Sequence, residues 1–153
     1  MRQVRQQLIV LAATLLPTLA FSSEAVHASN NTHRTRTTWD SVYSADQAAR
    51  GESTYTRTCS RCHKAALGGA DEAPALTGGA FMGSWNGQTL HDLHDRIRTT
   101  MPTDTPGTYS RQDIADVIAY MLKFNQFPAG TAELPIGEEE LKSISFVSAK
   151  PGG

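Results

Sequence analysis

Both cysteines of this 153-residue chain fall in one five-residue stretch, Cys59-Ser60-Arg61-Cys62-His63. Any fold built around it must hold whatever two thiols and an imidazole bind together, so it limits the chain more than any hydrophobic pattern. Two thiols separated by two residues, with histidine next, match the spacing for covalent attachment of a c-type haem. Each thiol can form a thioether to one vinyl group, and the adjacent imidazole can bind the iron as an axial ligand. A structural zinc site needs about four ligands, usually with a second Cys/His pair, and the chain has no such pair. A thioredoxin-like redox pair calls for a neighbouring βαβ pattern, whereas the flanks read as helical; it is the runner-up. A disulfide across two residues would close only a trivial loop.

Residues 1–28 read as an export signal. Arg2 and Arg5 begin it, Leu8 to Phe21 form an apolar run, and Val26-His27-Ala28 resembles a small-residue cleavage site. The run contains Pro17 and falls short of the roughly 20 residues a spanning helix needs. The reading therefore places the mature chain in the periplasm, with a membrane involved only if the signal stays uncleaved. Export suits the haem reading, because bacterial c-type haem is attached outside the cytoplasmic membrane. The formal charge of −1 gives no reason to expect nucleic acid.

Residues 29–40 are polar with little apolar periodicity and read as a flexible leader. Ser44 with Gln47 predicts a capping box opening a helix from Ala45 to Thr58, which delivers the chain into Cys59. Gly51 inside that helix costs about 1 kcal/mol relative to alanine. Either that cost is simply tolerated, or the missing side chain, with Tyr55 one turn later on the same face, lets another helix cross closely. The crossing partner is a helix after the Ser110/Asp113 box, carrying Ile114, Val117, Ile118, Met121 and Leu122 at amphipathic spacing. Thr89 with Asp92 caps a shorter helix to about Thr99. Leu67 to Gly87 reads as a loop rich in glycine, alanine and proline. Residues 136–153, with Glu138-Glu139-Glu140, read as a surface extension or flexible tail. The expectation is an all-α fold, three or more helices around one haem, with the folded domain at 41–135.

The sixth iron ligand is expected to be Met101, which follows a helix and precedes Pro102 in a stiff non-helical turn. Met121 reads as core and Met82 as loop packing, while His91 and His94 read as helix surface. Pro74, eleven residues after His63, is expected to offer its carbonyl to the second ring nitrogen of His63. An ordinary rigid turn explains Pro74 equally well. Trp85 and Asn86 are expected to face a haem propionate, with Trp85 also suited to haem-edge packing.

With these residues in order, the chain resembles a class I cytochrome c over about Ser41 to Pro135. The resemblance rests on Cys59–His63 after a helix bearing Gly51 and Tyr55, then Pro74, Met101-Pro102, and a closing helix bearing Tyr120. It implies one covalently bound haem c, ligated by His63 and Met101, in a carrier of single electrons rather than an enzyme. More narrowly, Phe81-Met-Gly-Ser-Trp-Asn-Gly-Gln-Thr-Leu and Arg96-Ile-Arg-Thr-Thr-Met-Pro are similar to cytochrome c domains associated with quinoprotein alcohol dehydrogenases. That implies such a dehydrogenase as electron donor, as a separate subunit, and a downstream oxidase or cytochrome as acceptor. Two other readings stay open. One is a fixed haem subunit of a larger oxidoreductase; the other is a haem enzyme or gas sensor with a displaceable sixth ligand.

Overall fold

A computed structural model describes residues 35–152. The expected export signal, residues 1–28, and residues 29–34 of the expected leader lie outside them. Among the described residues the chain forms six helices and one pair of two-residue strands, so the all-α expectation holds. The elements are β1 (Arg36–Thr37), α1 (Ala45–Thr58), α2 (Ser60–His63), α3 (Gly78–Trp85), α4 (Leu90–Thr100), α5 (Arg111–Phe124), α6 (Glu138–Lys142) and β2 (Ile144–Ser145).

The crossing of α1 and α5 is the centre of the fold. A Cβ on Gly51 would stand 1.8 Å from the carbonyl oxygen of Asp116 and 2.4 Å from its carbonyl carbon. No side chain fits between the two backbones there. One turn on, the rings of Tyr55 and Tyr120 meet at 5.2 Å. Ile114 through Leu122 are all buried, so α5 is covered around most of its circumference rather than along one stripe. Buried Asp116 is satisfied at this crossing, receiving Arg50 Nε at 2.9 Å and Gln112 Nε2 at 2.7 Å.

Capping residues place three helix starts where local chemistry predicts them. Thr89/Asp92 and Ser110/Asp113 form complete reciprocal boxes before α4 and α5. Ser44 accepts the Gln47 backbone N–H at 3.1 Å, but the Gln47 side chain does not return to it. Instead Gln47 is fully buried, and its amide receives Leu134 N–H at 2.6 Å and donates to the Leu134 carbonyl at 3.1 Å. A buried backbone pair after α5 takes the amide, because leaving those groups unmet would cost more than an open cap.

Three expectations are corrected. The glycine-rich span 67–87 is not all loop, since Gly78–Trp85 forms α3 and buries Phe81. Residues 136–153 are not simply a flexible tail: Leu141, Ile144 and Phe146 are fully buried in the common core. Nor is 35–40 a free leader. Its β1 pairs in parallel with β2, and the Trp39 indole N–H donates to the Val147 carbonyl at 2.9 Å. From β2 the chain also bonds the turn before α4, with Phe146 N–H to Gln88 at 2.7 Å and Gly87 N–H to Phe146 at 2.9 Å. The resulting C-terminal strap, 137–148, is held on both edges by backbone hydrogen bonds. Its apolar residues were hard to see beside three consecutive glutamates.

Candidate functional site

The end of α1 runs straight into the Cys59 stretch. Cys59 N–H still bonds the Tyr55 carbonyl at 2.8 Å, and then α2 turns once through Cys62 and His63. Lys64 leaves that turn with φ +62, a left-handed conformation, and its carbonyl accepts the Tyr55 hydroxyl at 2.7 Å. Tyr55 thus has two roles: its ring packs at the helix crossing, and its hydroxyl holds the chain just past His63. Burial raises the Tyr55 pKa well above its ordinary value, which keeps the hydroxyl a donor.

Cys59, Cys62, His63, Pro74, Trp85 and Met101 all line one cavity of about 670 Å³. Leu93 and Ile97 from α4 and Ile114, Val117 and Met121 from α5 supply apolar walls. Met101 is the C-cap of α4, with extended backbone at φ −119 and ψ 148, and the Met101–Pro102 peptide is cis. Helix α4 therefore ends where Met101 meets the cavity. Met121 is a core residue at 2% exposure that also touches the cavity, and Met82 packs against the core.

His63 Nδ1–H donates to the Pro74 carbonyl at 2.8 Å. With Nδ1 engaged in this way, the lone pair of Nε2 is left to bind a metal. The carbonyl is set by a tight turn: Gly69 has φ +70, and a Cβ there would come within 2.6 Å of the Pro74 carbonyl carbon. Gly69 N–H in turn bonds the His63 carbonyl at 3.0 Å. Further on, Asn125 after α5 donates to the Leu76 carbonyl at 3.0 Å and accepts from Thr77 Oγ1 at 3.0 Å. It fastens the loop that carries Pro74 to the end of α5.

Burial raises the Cys59 thiol above its ordinary pKa, against a lowering contribution from Thr58 Oγ1, 3.4 Å away. Cys59 is thus not set up as the activated thiolate of an exchange catalyst. Among the described residues, no three His, Cys, Asp or Glu side chains gather as metal ligands, so a zinc site finds no support. Two thiols on one turn, an imidazole with its Nε2 unengaged, a thioether and apolar walls do fit a c-type haem.

Two placements differ from expectation. Asn86 is exposed and does not line the cavity; its amide oxygen accepts Ser148 N–H and Oγ–H, each at 2.9 Å, and so secures the strap. His94 is not on the surface of α4. It is buried at 2% exposure, and its Nε2–H donates to the Arg111 carbonyl at 3.3 Å, where α4 meets the start of α5. Trp85 does line the cavity, with its ring 6.4 Å from Phe81. Sequence reasoning missed Tyr109, which lines the cavity beside α5, and the pairing of Arg61 with Asp104. Only the oppositely charged types hinted at that pair.

Residues 46–121 match the family described as cytochrome C oxidase, cbb3-type, subunit III. Among solved structures, the sulfane dehydrogenase SoxCD from Paracoccus pantotrophus contains a similar chain, at 24% identity and a TM-score of 0.48. The likeness covers 58% of this chain and 53% of that one, so the match spans about half the neighbour's length. A resemblance that slight carries no argument about function. No curated protein sequence matches.

Proposed function

We propose that this chain is a class I cytochrome c, an exported protein carrying one haem c and shuttling single electrons between redox proteins, a reading supported by the family match over residues 46–121. The observation that carries the proposal is the convergence of Cys59, Cys62, His63 and Met101 on one apolar-walled cavity. Cys59 and Cys62 would hold the group through thioethers, and His63 Nε2 and the Met101 sulfur would be its axial ligands. When bound, haem c supplies a one-electron iron couple. The Pro74 carbonyl orients the His63 ring and raises its basicity as a ligand. Leu93, Ile97 and Val117 exclude water from the cavity, and the soft Met101 thioether favours the ferrous state; both raise the reduction potential. Trp85, which lines the cavity, is the candidate for contact with a propionate; Asn86 does not line it, and its amide oxygen is taken by Ser148.

The donor in this proposal is a quinoprotein alcohol dehydrogenase and the acceptor a downstream oxidase or cytochrome. That assignment rests on the two sequence runs that resemble dehydrogenase-associated domains. A second reading is a fixed haem subunit of a larger oxidoreductase, favoured by the matched family's description as an oxidase subunit. Co-purification with a large subunit after gentle extraction would support the fixed subunit, whereas free migration at the mass of one chain would support the carrier.

The intact mass and reduced-minus-oxidised spectrum of the exported protein test the central claim. One covalent haem and a red charge-transfer band in the ferric state are expected. Met101→Ala should abolish that band and leave a high-spin or water-ligated haem; an unchanged spectrum would remove Met101 from the site. Changing Cys59 and Cys62 together to alanine should leave no haem on a denaturing gel.

A further inference from the structure

Arg61 and Asp104 join two segments that the chain separates by 43 residues. Arg61 stands between the two cysteines, in the turn that ends at His63. Asp104 stands in the turn just after Met101 and Pro102, closed by Thr105 N–H donating to the Pro102 carbonyl at 3.0 Å. The Arg61 guanidinium donates to the Asp104 carboxylate as a charged hydrogen bond. Arg61, Pro102 and Thr103 line the same cavity as His63 and Met101. Both members of the pair are more than half exposed, at 63% and 54%, so the link lies at the cavity's solvent edge.

What the pair connects sets it apart from other ion pairs. Arg98–Asp95 and the Lys142 pairs stay within one helix, and Arg50–Asp116 and Lys123–Glu52 tie α1 to α5. Arg61–Asp104 alone among these runs from the Cys59–His63 segment to the Met101 turn. That turn lacks helical hydrogen bonds, and its residues 103–108 are exposed. A segment of this kind opens locally at small free-energy cost. A weak surface pair that hardly affects global stability can therefore still bias whether the turn is open or closed.

We propose that Arg61 and Asp104 are positioning residues for the sixth ligand, a clasp that holds the Met101 turn against the haem-attachment segment. The clasp sets how readily an outside ligand displaces Met101. It rests on the reading of Met101 as axial ligand.

Imidazole binding to the ferric holoprotein measures the open population directly, because imidazole takes the position Met101 leaves. Asp104→Asn and Arg61→Gln should each raise the imidazole affinity about two- to fivefold, the range of an exposed ion pair. The double variant should add little to either single one. Raising ionic strength should bring the unaltered protein toward the variants while leaving the variants nearly unmoved. The charge-swapped protein, Arg61→Asp with Asp104→Arg, should recover most of the original affinity. If the red charge-transfer band is present but neither single variant, or only one, alters imidazole affinity, the clasp is wrong. If the unaltered protein lacks that band, the Met101 reading fails and the clasp falls with it.

Discussion

The cavity and the C-terminal strap are completed in different ways, although Phe81 belongs to both. On the cavity side, Phe81 lines the space together with Leu93 and Ile97 of α4 and Ile114, Val117 and Met121 of α5. On the strap side, Phe81 meets Phe146 at 5.8 Å, edge to face, and Phe146 meets Phe127 at 5.4 Å. There the protein supplies its own filler. The strap's backbone is bonded on one side to β1 and on the other to the turn before α4. The difference separates two kinds of stability. The strap is filled by the chain's own side chains, whereas the cavity brings the two thiols, His63 and Met101 to apolar walls.

The largest effect is expected from Phe146→Ala, which removes the filler from the strap side. Loss of a buried Phe costs about 3–5 kcal/mol, to be read by urea unfolding of the haem-loaded protein. The visible spectrum of the folded fraction should be unchanged, since Phe146 does not line the cavity. A spectral change would mean that the two regions are coupled through Phe81. Gly51→Ala comes next, at about 3 kcal/mol, because the added Cβ overlaps Asp116 backbone that cannot swing aside. An unchanged unfolding midpoint would mean that α1 and α5 are not held at this spacing.

Gly69→Ala is a smaller test, confined to the cavity side. The left-handed φ should cost about 1–2 kcal/mol. Displacing the Pro74 carbonyl weakens the bond from His63, lowers imidazole basicity and should raise the reduction potential; an unmoved potential would count against that bond. The smallest effect concerns His94. Burial holds its pKa below the ordinary 6.5, with a partly opposing bond to the Arg111 carbonyl. Between those two pKa values the unfolded chain binds the extra proton, so stability rises with pH and is fully present above about 6.5. It is lost as pH falls through that window, at no more than about 1.4 kcal/mol per pH unit. His94→Gln should flatten this part of the curve in unfolding titrations from pH 7 to 5, and an unaltered slope would assign the acid lability elsewhere.

Much of the helical frame was legible because its signals are local. The Ser44, Thr89 and Ser110 caps lie next to the helices they begin, and the spacing on α5 needs only a few turns to read. Helix α3 was hidden because Gly78, Gly79 and Gly83 weaken its propensity, and the burial of Phe81 with the packing of Met82 and Trp85 against the core compensates. The strap was hidden for a related reason. Leu141, Ile144 and Phe146 carry no strong periodicity, and their places depend on β1, Gln88 and Phe127 from distant parts of the chain. His94 looked like a helix-surface residue because nothing nearby in sequence shows that α5 begins against it. Asn86 looked like a cavity residue because its neighbour Trp85 is one.

By itself the sequence pointed to the chemistry of attachment, set the direction in which α1 feeds it, and offered Gly51 as a place where another helix could cross closely. Each follows from residues within a few positions of one another, where covalent geometry and helix spacing leave few alternatives. Only the tertiary structure decided that Met101 reaches the cavity from the end of α4, that the Pro74 carbonyl meets His63, and that Arg61 faces Asp104. Those pairings span from 11 to 43 residues. Chain entropy leaves such distances open until the α1–α5 crossing and the strap close the loops between them.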